Sequence, residues 1–222
     1  YVSEIKMKHD ELVAFQAQIN PHFLYNTLEA IRMRALTKGA VDVGEMIYVL
    51  GSLFRYAVKP DTVVTLEDEA EYCRQYLELY KVRYRDKIDY RISIDEAVKN
   101  ARLFKLLLQP LVENAIVHGI KPSKSGNMIR IRAYPEEDGK AVAIEVENNG
   151  KGMKPERLQA VREMLAGAGS LGASESLGIR NVHERVRLSF GEAYGLDIRS
   201  SPGEGTLVRI RIPNVKGESS DV

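Results

Sequence analysis

A chain of 222 residues, 44% of them hydrophobic, is long enough for one large or two small domains and apolar enough to build cores, which excludes a disordered segment. Its 32 Lys and Arg against 31 Asp and Glu leave a formal net charge of +1, so no surplus of positive charge prepares a surface for nucleic acid. The single cysteine, Cys73, excludes an internal disulfide and a multi-cysteine zinc site, and it reads as a small, half-buried helix residue.

No apolar run approaches the roughly 20 residues that cross a bilayer, and no signal-peptide pattern is present. The chain begins at Tyr1 and passes straight into a helical pattern. We therefore expect a piece of a longer protein, in which a membrane anchor could lie upstream.

From Glu4 to about Lys38 the residues favour helix, and an apolar stripe at Leu12, Phe15, Ile19, His22 or Phe23, and Asn26 follows three- and four-residue steps. Pro21 inside this segment removes one N–H and leaves the Ala17 carbonyl without its donor, which predicts a kink beside His22. Lys38-Gly39 is a stop signal. A second helix is predicted from about Val41 to Val58, with Val43, Met46, Ile47, Leu50, Leu53 and Phe54 on one side, and Lys59-Pro60-Asp61 ends it. Such a hairpin has too little to bury alone, so pairing with a second copy into a four-helix bundle is expected.

Thr65, with Asp68 three residues on, reads as the N-cap of a helix reaching about Tyr84. We place the domain boundary before it: a helical hairpin at 1–62, an α/β domain at 63–214 and a polar tail at 215–222. In the α/β part, strands are predicted at Tyr90 to Ile94, Met128 to Tyr134, Ala141 to Glu147, Leu196 to Ser200 and Thr206 to Ile212, with an Asp138-Gly139 turn between the second and third. Helices are predicted at Leu103 to His118, 155–166 and 178–190. This order suggests an antiparallel or mixed sheet with helices on one face, an α+β class overall.

Three segments carry small residues that let a backbone approach a ligand closely: Asn148-Asn149-Gly150-Lys151-Gly152-Met153, Ser176-Leu177-Gly178-Ile179-Arg180-Asn181 and Pro202-Gly203-Glu204-Gly205-Thr206. The second opens a predicted helix, whose N–H groups and positive dipole end suit a phosphate. In the helix from Gln109 to Gly119, Asn114 and His118 lie four apart and share a face, beside Glu113. Asn114 could cap a backbone group with His118 favoured by the helix dipole, or its amide oxygen could serve Mg²⁺ held jointly with nucleotide phosphates. The glycine segments favour the second account.

Glu113-Asn114 to Gly119, Asn149 to Met153, Leu177 to Asn181 and Gly203 to Thr206 resemble, in order and spacing, the asparagine box and the three glycine boxes of the GHKL ATPases. The resemblance implies a Bergerat-type α/β sandwich binding ATP·Mg²⁺, with a mobile lid at about Pro155 to Ser176 containing Gly167, Gly169 and Gly172. It assigns nucleotide contacts to Asn114, His118, Gly119, Asn148, Gly150, Gly152, Met153, Gly178, Asn181, Gly203, Gly205 and Thr206, and the metal to Asn114. Where the first glycine box usually starts with an aspartate that accepts the adenine amino hydrogen, this chain has Asn148. An amide oxygen can accept the same bond, and an amide can also turn its donors that way.

The segment Gln18-Ile-Asn-Pro-His-Phe-Leu-Tyr-Asn-Thr-Leu28 closely resembles the phosphoacceptor box of the LytS/YesM-type sensor histidine kinases, and Leu66 to Glu69 and Tyr76 to Tyr80 extend the likeness over nearly the whole chain. The resemblance implies that His22 attacks the γ-phosphoryl of ATP, with Mg²⁺, Asn114, loop N–H groups and Lys121 neutralising charge. Phe23 stands where commoner kinases carry an acidic residue. Asn26, one turn on, and Glu113 are the candidates for handling the imidazole proton. The implied partners are a second copy of the chain and a response regulator whose aspartate receives the phosphoryl group, and the implied location is the cytoplasmic side of a bacterial membrane. The competing readings are a GHKL ATPase acting as a serine kinase or ATP-driven clamp, and a non-catalytic dimeric adaptor.

Overall fold

The computed structural model describes residues 21–84, 87–121, 125–168 and 177–215. The predicted helix and kink before Pro21, residues 169–176 of the predicted lid and the tail from 216 lie outside the described residues. Two compact units form, one ending at Pro60 and the other starting at Asp61.

In the first unit, helix α1 (Pro21–Thr37) and helix α2 (Val41–Val58) form a hairpin. Gly39 takes φ +74°, which a side chain rarely adopts. There the Ala40 N–H donates to the Ala35 carbonyl and the Gly39 N–H to Leu36, both at 3.0 Å, closing a Schellman cap. Gly44 lets α1 approach, since a Cβ there would lie 2.7 Å from Leu36 Cδ2. Tyr25 meets Phe54 edge to face, with ring centroids 5.4 Å apart. The hairpin buries little: α1 has no buried residue, and α2 has only Gly44 and Leu53.

The second unit begins with a short strand β1 (Val63–Thr65), whose last residue caps helix α3 (Leu66–Arg83). The Thr65 hydroxyl accepts the Asp68 N–H while the Asp68 carboxylate accepts the Thr65 N–H, a complete capping box. Strands β2 (Ile88–Ile94), β4 (Asn127–Glu136), β5 (Ala141–Asn148), β7 (Gly205–Pro213) and β6 (Gly195–Ser201) form one sheet in the order β2-β4-β5-β7-β6. Only β2 and β4 run parallel; the other pairs are antiparallel. Ile129, Ile131, Val142, Ile144, Val146, Val208, Ile210 and Ile212 bury one set of side chains in the core. The alternate positions carry ion pairs, including Arg132 to Glu145 at 2.9 Å and Arg209 to Glu136. That alternation is the period of two that a sheet with one core face demands. Helix α3 packs by β2, and helices α5 (Pro155–Leu165) and α6 (Leu177–Phe190) pack by β6.

One predicted helix is corrected. Residues 102–104 form strand β3, antiparallel to β1, and α-helix starts only at Gln109, as α4 (Gln109–Asn114), continuing as a π-turn over Ala115–Gly119. Pro110 lies in the first turn, where its missing N–H costs nothing; further inside a helix it would break the bonding. Ahead of it the fully buried Glu69 carboxylate accepts the Leu106 N–H (2.7 Å) and the Leu108 N–H (3.1 Å), with Leu106 held at φ +60°. A carboxylate from α3 thus decides the backbone of this turn. Cys73 is buried in the same core, where burial first and the charge of Glu69 second push its thiol pKa well up, so it stays an inert thiol.

Candidate functional site

The C-terminal end of β5 is where the loops converge. Asn148, the last residue of β5, is paired with Ile129 on one side and Thr206 on the other. Its Oδ1 accepts the Gly150 N–H at 3.0 Å, turning the chain sharply out of the sheet. Asn149 then fastens the loop to β4: its Oδ1 accepts the Met128 N–H (2.7 Å) and its Nδ2 donates to the Gly126 carbonyl (2.8 Å).

The glycines here let backbone meet backbone. A Cβ on Gly150 would lie 1.4 Å from the Gly119 carbonyl oxygen, and the neighbouring Lys151 N–H donates to that same oxygen at 3.0 Å. A Cβ on Gly152 would lie 1.8 Å from the Ser201 carbonyl oxygen, and one on Gly205 1.8 Å from that of Asn148. The expectation that these glycines admit a ligand is therefore sharpened: at Gly150, Gly152 and Gly205 the crowding partner is the protein's own chain. Gly203 differs, since it takes φ +83° in the β6–β7 turn with open space around it.

Ser200 joins the loops, and it was missed in the sequence. Its hydroxyl accepts the Met153 N–H (2.8 Å), donates to the Gly205 carbonyl (2.7 Å) and lies 2.8 Å from the Thr206 hydroxyl. A single serine in a strand carries no signal by itself; only its place beside the Pro202-Gly203 turn hints at this role.

Between these loops, α4 and α5 lies an open cleft of about 720 Å³. Its polar lining comes from Asn114, His118, Asn148, Thr206 and Arg157. Leu111, Ala115, Val146, Val161, Ile179 and Val208 supply apolar walls, with Met153 at one side. An apolar slot with a few convergent polar groups suits a small planar ligand carrying a polar tail. Gly119 and Gly152 also line the cleft. Gly178, at the start of α6, abuts Asn114: a Cβ there would lie 3.8 Å from Asn114 Nδ2 and 3.6 Å from Pro110 Cβ. Part of the predicted lid, Pro155–Leu165, is helix α5, and its Arg157 and Val161 form cleft wall.

Other predicted site residues fall elsewhere. Asn181 is exposed on α6, and Gly150, Gly203 and Gly205 support the rim without lining the cleft. Glu113 is exposed and lies off the cleft; its charge acts on Tyr72 and Tyr76 of α3. Burial first, and then the charges of Cys73, Glu69 and, least, Glu113, push the Tyr72 hydroxyl up to about 12. Lys121 is held by its backbone, which brackets the Asn127 side chain: the Lys121 N–H donates to Oδ1 (2.8 Å) and its carbonyl accepts from Nδ2 (3.1 Å).

In the first unit, His22 is exposed on the first turn of α1. Asn26 Nδ2 lies 3.3 Å from its Nδ1 and 3.5 Å from its Nε2. The i to i+4 spacing of a helix produces this pairing. Among the described residues no group of three or more His, Cys, Asp or Glu is placed to hold a metal. No helix among them is long and apolar enough to cross a membrane.

Two family profiles match the chain: histidine kinase over residues 10–88, and histidine kinase-, DNA gyrase B-, and HSP90-like ATPase over residues 99–216. The chain is 39% identical to the sensor histidine kinase YesM of Bacillus subtilis (strain 168) over 212 residues, which cover 95% of this chain and 34% of that protein. It is 36% identical to the sensor histidine kinase YpdA of Escherichia coli (strain K12) over 208 residues, covering 92% and 34%. The chain thus spans about a third of the length of these relatives. In fold it is similar to the catalytic domain of histidine kinase ThkA, with a TM-score of 0.50 at 13% identity, covering 70% of this chain and 98% of that one. The slot at the end of β5, with its interlocked loops and asparagine-bearing helix, is therefore the cleft of an ATPase domain, and the chain belongs to the histidine kinase-, DNA gyrase B-, and HSP90-like ATPase family, with a histidine kinase segment ahead of it.

Proposed function

We propose that the chain is the kinase core of a two-component sensor: ATP binds in the cleft and His22 takes its γ-phosphoryl group, which then passes to an aspartate of a response regulator. In the first step a bond forms between an imidazole nitrogen and the γ-phosphorus while the β,γ-bridging P–O bond breaks, leaving ADP. The observation that carries this reading is the convergence on one cleft of Asn114, Asn148, Gly152 and Thr206 from three separated segments, on a chain whose first helix bears His22.

The apolar walls are suited to hold the base, and Asn114 with the first turn of α6 to face the phosphates, where backbone N–H groups and the helix dipole favour negative charge. Asn114, together with the phosphates, would hold Mg²⁺, which would supply charge neutralisation there. Among the polar cleft residues Asn114 fits that role because its amide carries a hard oxygen donor on a side chain that lies beside Gly178 at the start of α6. Asn26 holds the His22 ring: with the amide turned so that Oδ1 accepts the Nδ1 proton, Nε2 keeps its lone pair for attack. Glu113, lying on the α3 side, is assigned no step.

The apolar residues left exposed on the hairpin, Phe23 at 67%, Ile31 at 50% and Met33 at 51%, support pairing of two copies into a four-helix bundle. We place the core on the cytoplasmic side of a bacterial membrane, anchored through a segment outside this chain.

Incubation with radiolabelled ATP and Mg²⁺ tests the reading. Acid-labile label on the wild-type chain and none on His22→Ala is expected. Acid-stable label would favour a serine kinase, and no label with intact nucleotide binding would favour an adaptor.

A further inference from the structure

Asn148 is the most buried polar residue lining the cleft. It is 5% exposed, and of the buried polar side chains it alone lines the cleft among the described residues. Its amide is held in one orientation. The Gly150 backbone N–H can only donate, so the amide atom facing it at 3.0 Å is Oδ1. Rotating the amide would set two donors against each other. Gly119 packs flat against the group, a Cβ there falling 2.4 Å from Asn148 Cγ, which leaves no room to swing aside.

The other end of the amide, Nδ2, has no hydrogen-bond partner among the described residues, and it is not sealed inside protein. It opens to the cleft that Asn148 lines. The most buried polar group offered to a ligand is therefore an N–H donor. A ligand edge lying there must present an acceptor.

Resting on the reading of the cleft as a nucleoside triphosphate site, we propose that Asn148 Nδ2 selects an acceptor on the edge of the base, so that 6-oxopurine triphosphates bind alongside ATP. The 6-oxygen of such a base accepts this hydrogen bond directly. Adenine carries a donating amino group at that position and can meet Nδ2 only through a ring nitrogen. Leu111, Ala115, Val146 and Val208 discriminate by shape alone and so pass either purine.

Calorimetric titration of the full chain with ATP and with inosine triphosphate, each with Mg²⁺, tests this. The wild type is expected to bind the two with dissociation constants within about tenfold of each other. Asn148→Asp, which replaces the donor by an acceptor, is expected to widen the ratio in favour of ATP by at least about tenfold. A wild-type preference for ATP beyond about tenfold, or a ratio unmoved by Asn148→Asp, would overturn the proposal. The wild-type comparison decides by itself if the variant does not fold. Binding of neither nucleotide would remove the nucleotide reading and the proposal with it, a result distinct from strict ATP preference.

Discussion

Gly150 and Gly203 sit in neighbouring loops and look alike in the sequence, yet the structure asks different things of them. A Cβ at position 150 collides with the Gly119 carbonyl at 1.4 Å, whereas one at 203 meets only open space and must tolerate φ +83°. Gly150→Ala should therefore cost about 3 kcal/mol or more, since backbone has to move. Gly203→Ala should cost about 1 kcal/mol, the ordinary penalty of a left-handed residue. Urea unfolding of the two variants checks the contrast. Glu69 is a second such residue: fully buried, it serves two amide N–H groups of the turn before α4. Glu69→Ala should lose about 3 kcal/mol by orphaning both donors, again read from urea midpoints. Neither role was legible in the sequence, because each depends on what lies opposite in space.

At the scale of elements, α6 and β6 are joined by a histidine. His183 is buried on α6, and its Nδ1 accepts the Leu196 N–H at 3.0 Å. Burial first, and the positive charge of Arg187 second, lower its pKa below the ordinary histidine value of about 6.5. In the folded state the neutral ring is favoured, so the unfolded chain binds the extra proton. Stability from this contact is complete above pH about 6.5 and is lost as pH falls from there toward the folded-state pKa. Thermal melts between pH 7.5 and 5.5 should show that loss, and His183→Gln, whose amide oxygen can also accept the Leu196 N–H, should show less of it. The helices and strands that read clearly in the sequence were those with strong local signals: the Thr65 to Asp68 capping box, the Gly39 stop, and the alternation along β4, β5 and β7. The stretch before α4 did not, because its apolar residues Leu103, Leu107, Leu108 and Leu111 suit a buried helix equally well.

For the whole molecule, the hairpin is the part least complete by itself. If two copies pair through its exposed apolar residues, Ile31→Glu should shift the chain from dimer to monomer in light scattering while leaving nucleotide binding in the second unit intact. A dimer unaffected by that change would place the interface elsewhere. The sequence by itself determined the five strands of the large sheet in order, the helical hairpin before an α/β unit, and the asparagine and glycine segments from which the family was readable; the short strands β1 and β3 escaped it. It could do so because caps, turns and periodicity are local, and because ordered motifs survive as text. Only the tertiary structure decided that β2 runs parallel to β4, that Ser200 ties two loops together, and that Glu113 lies away from the cleft. It alone also decided which end of the Asn148 amide faces the cleft, because a side chain's orientation is set by the donors and close contacts that folding brings around it, here Gly150 and Gly119.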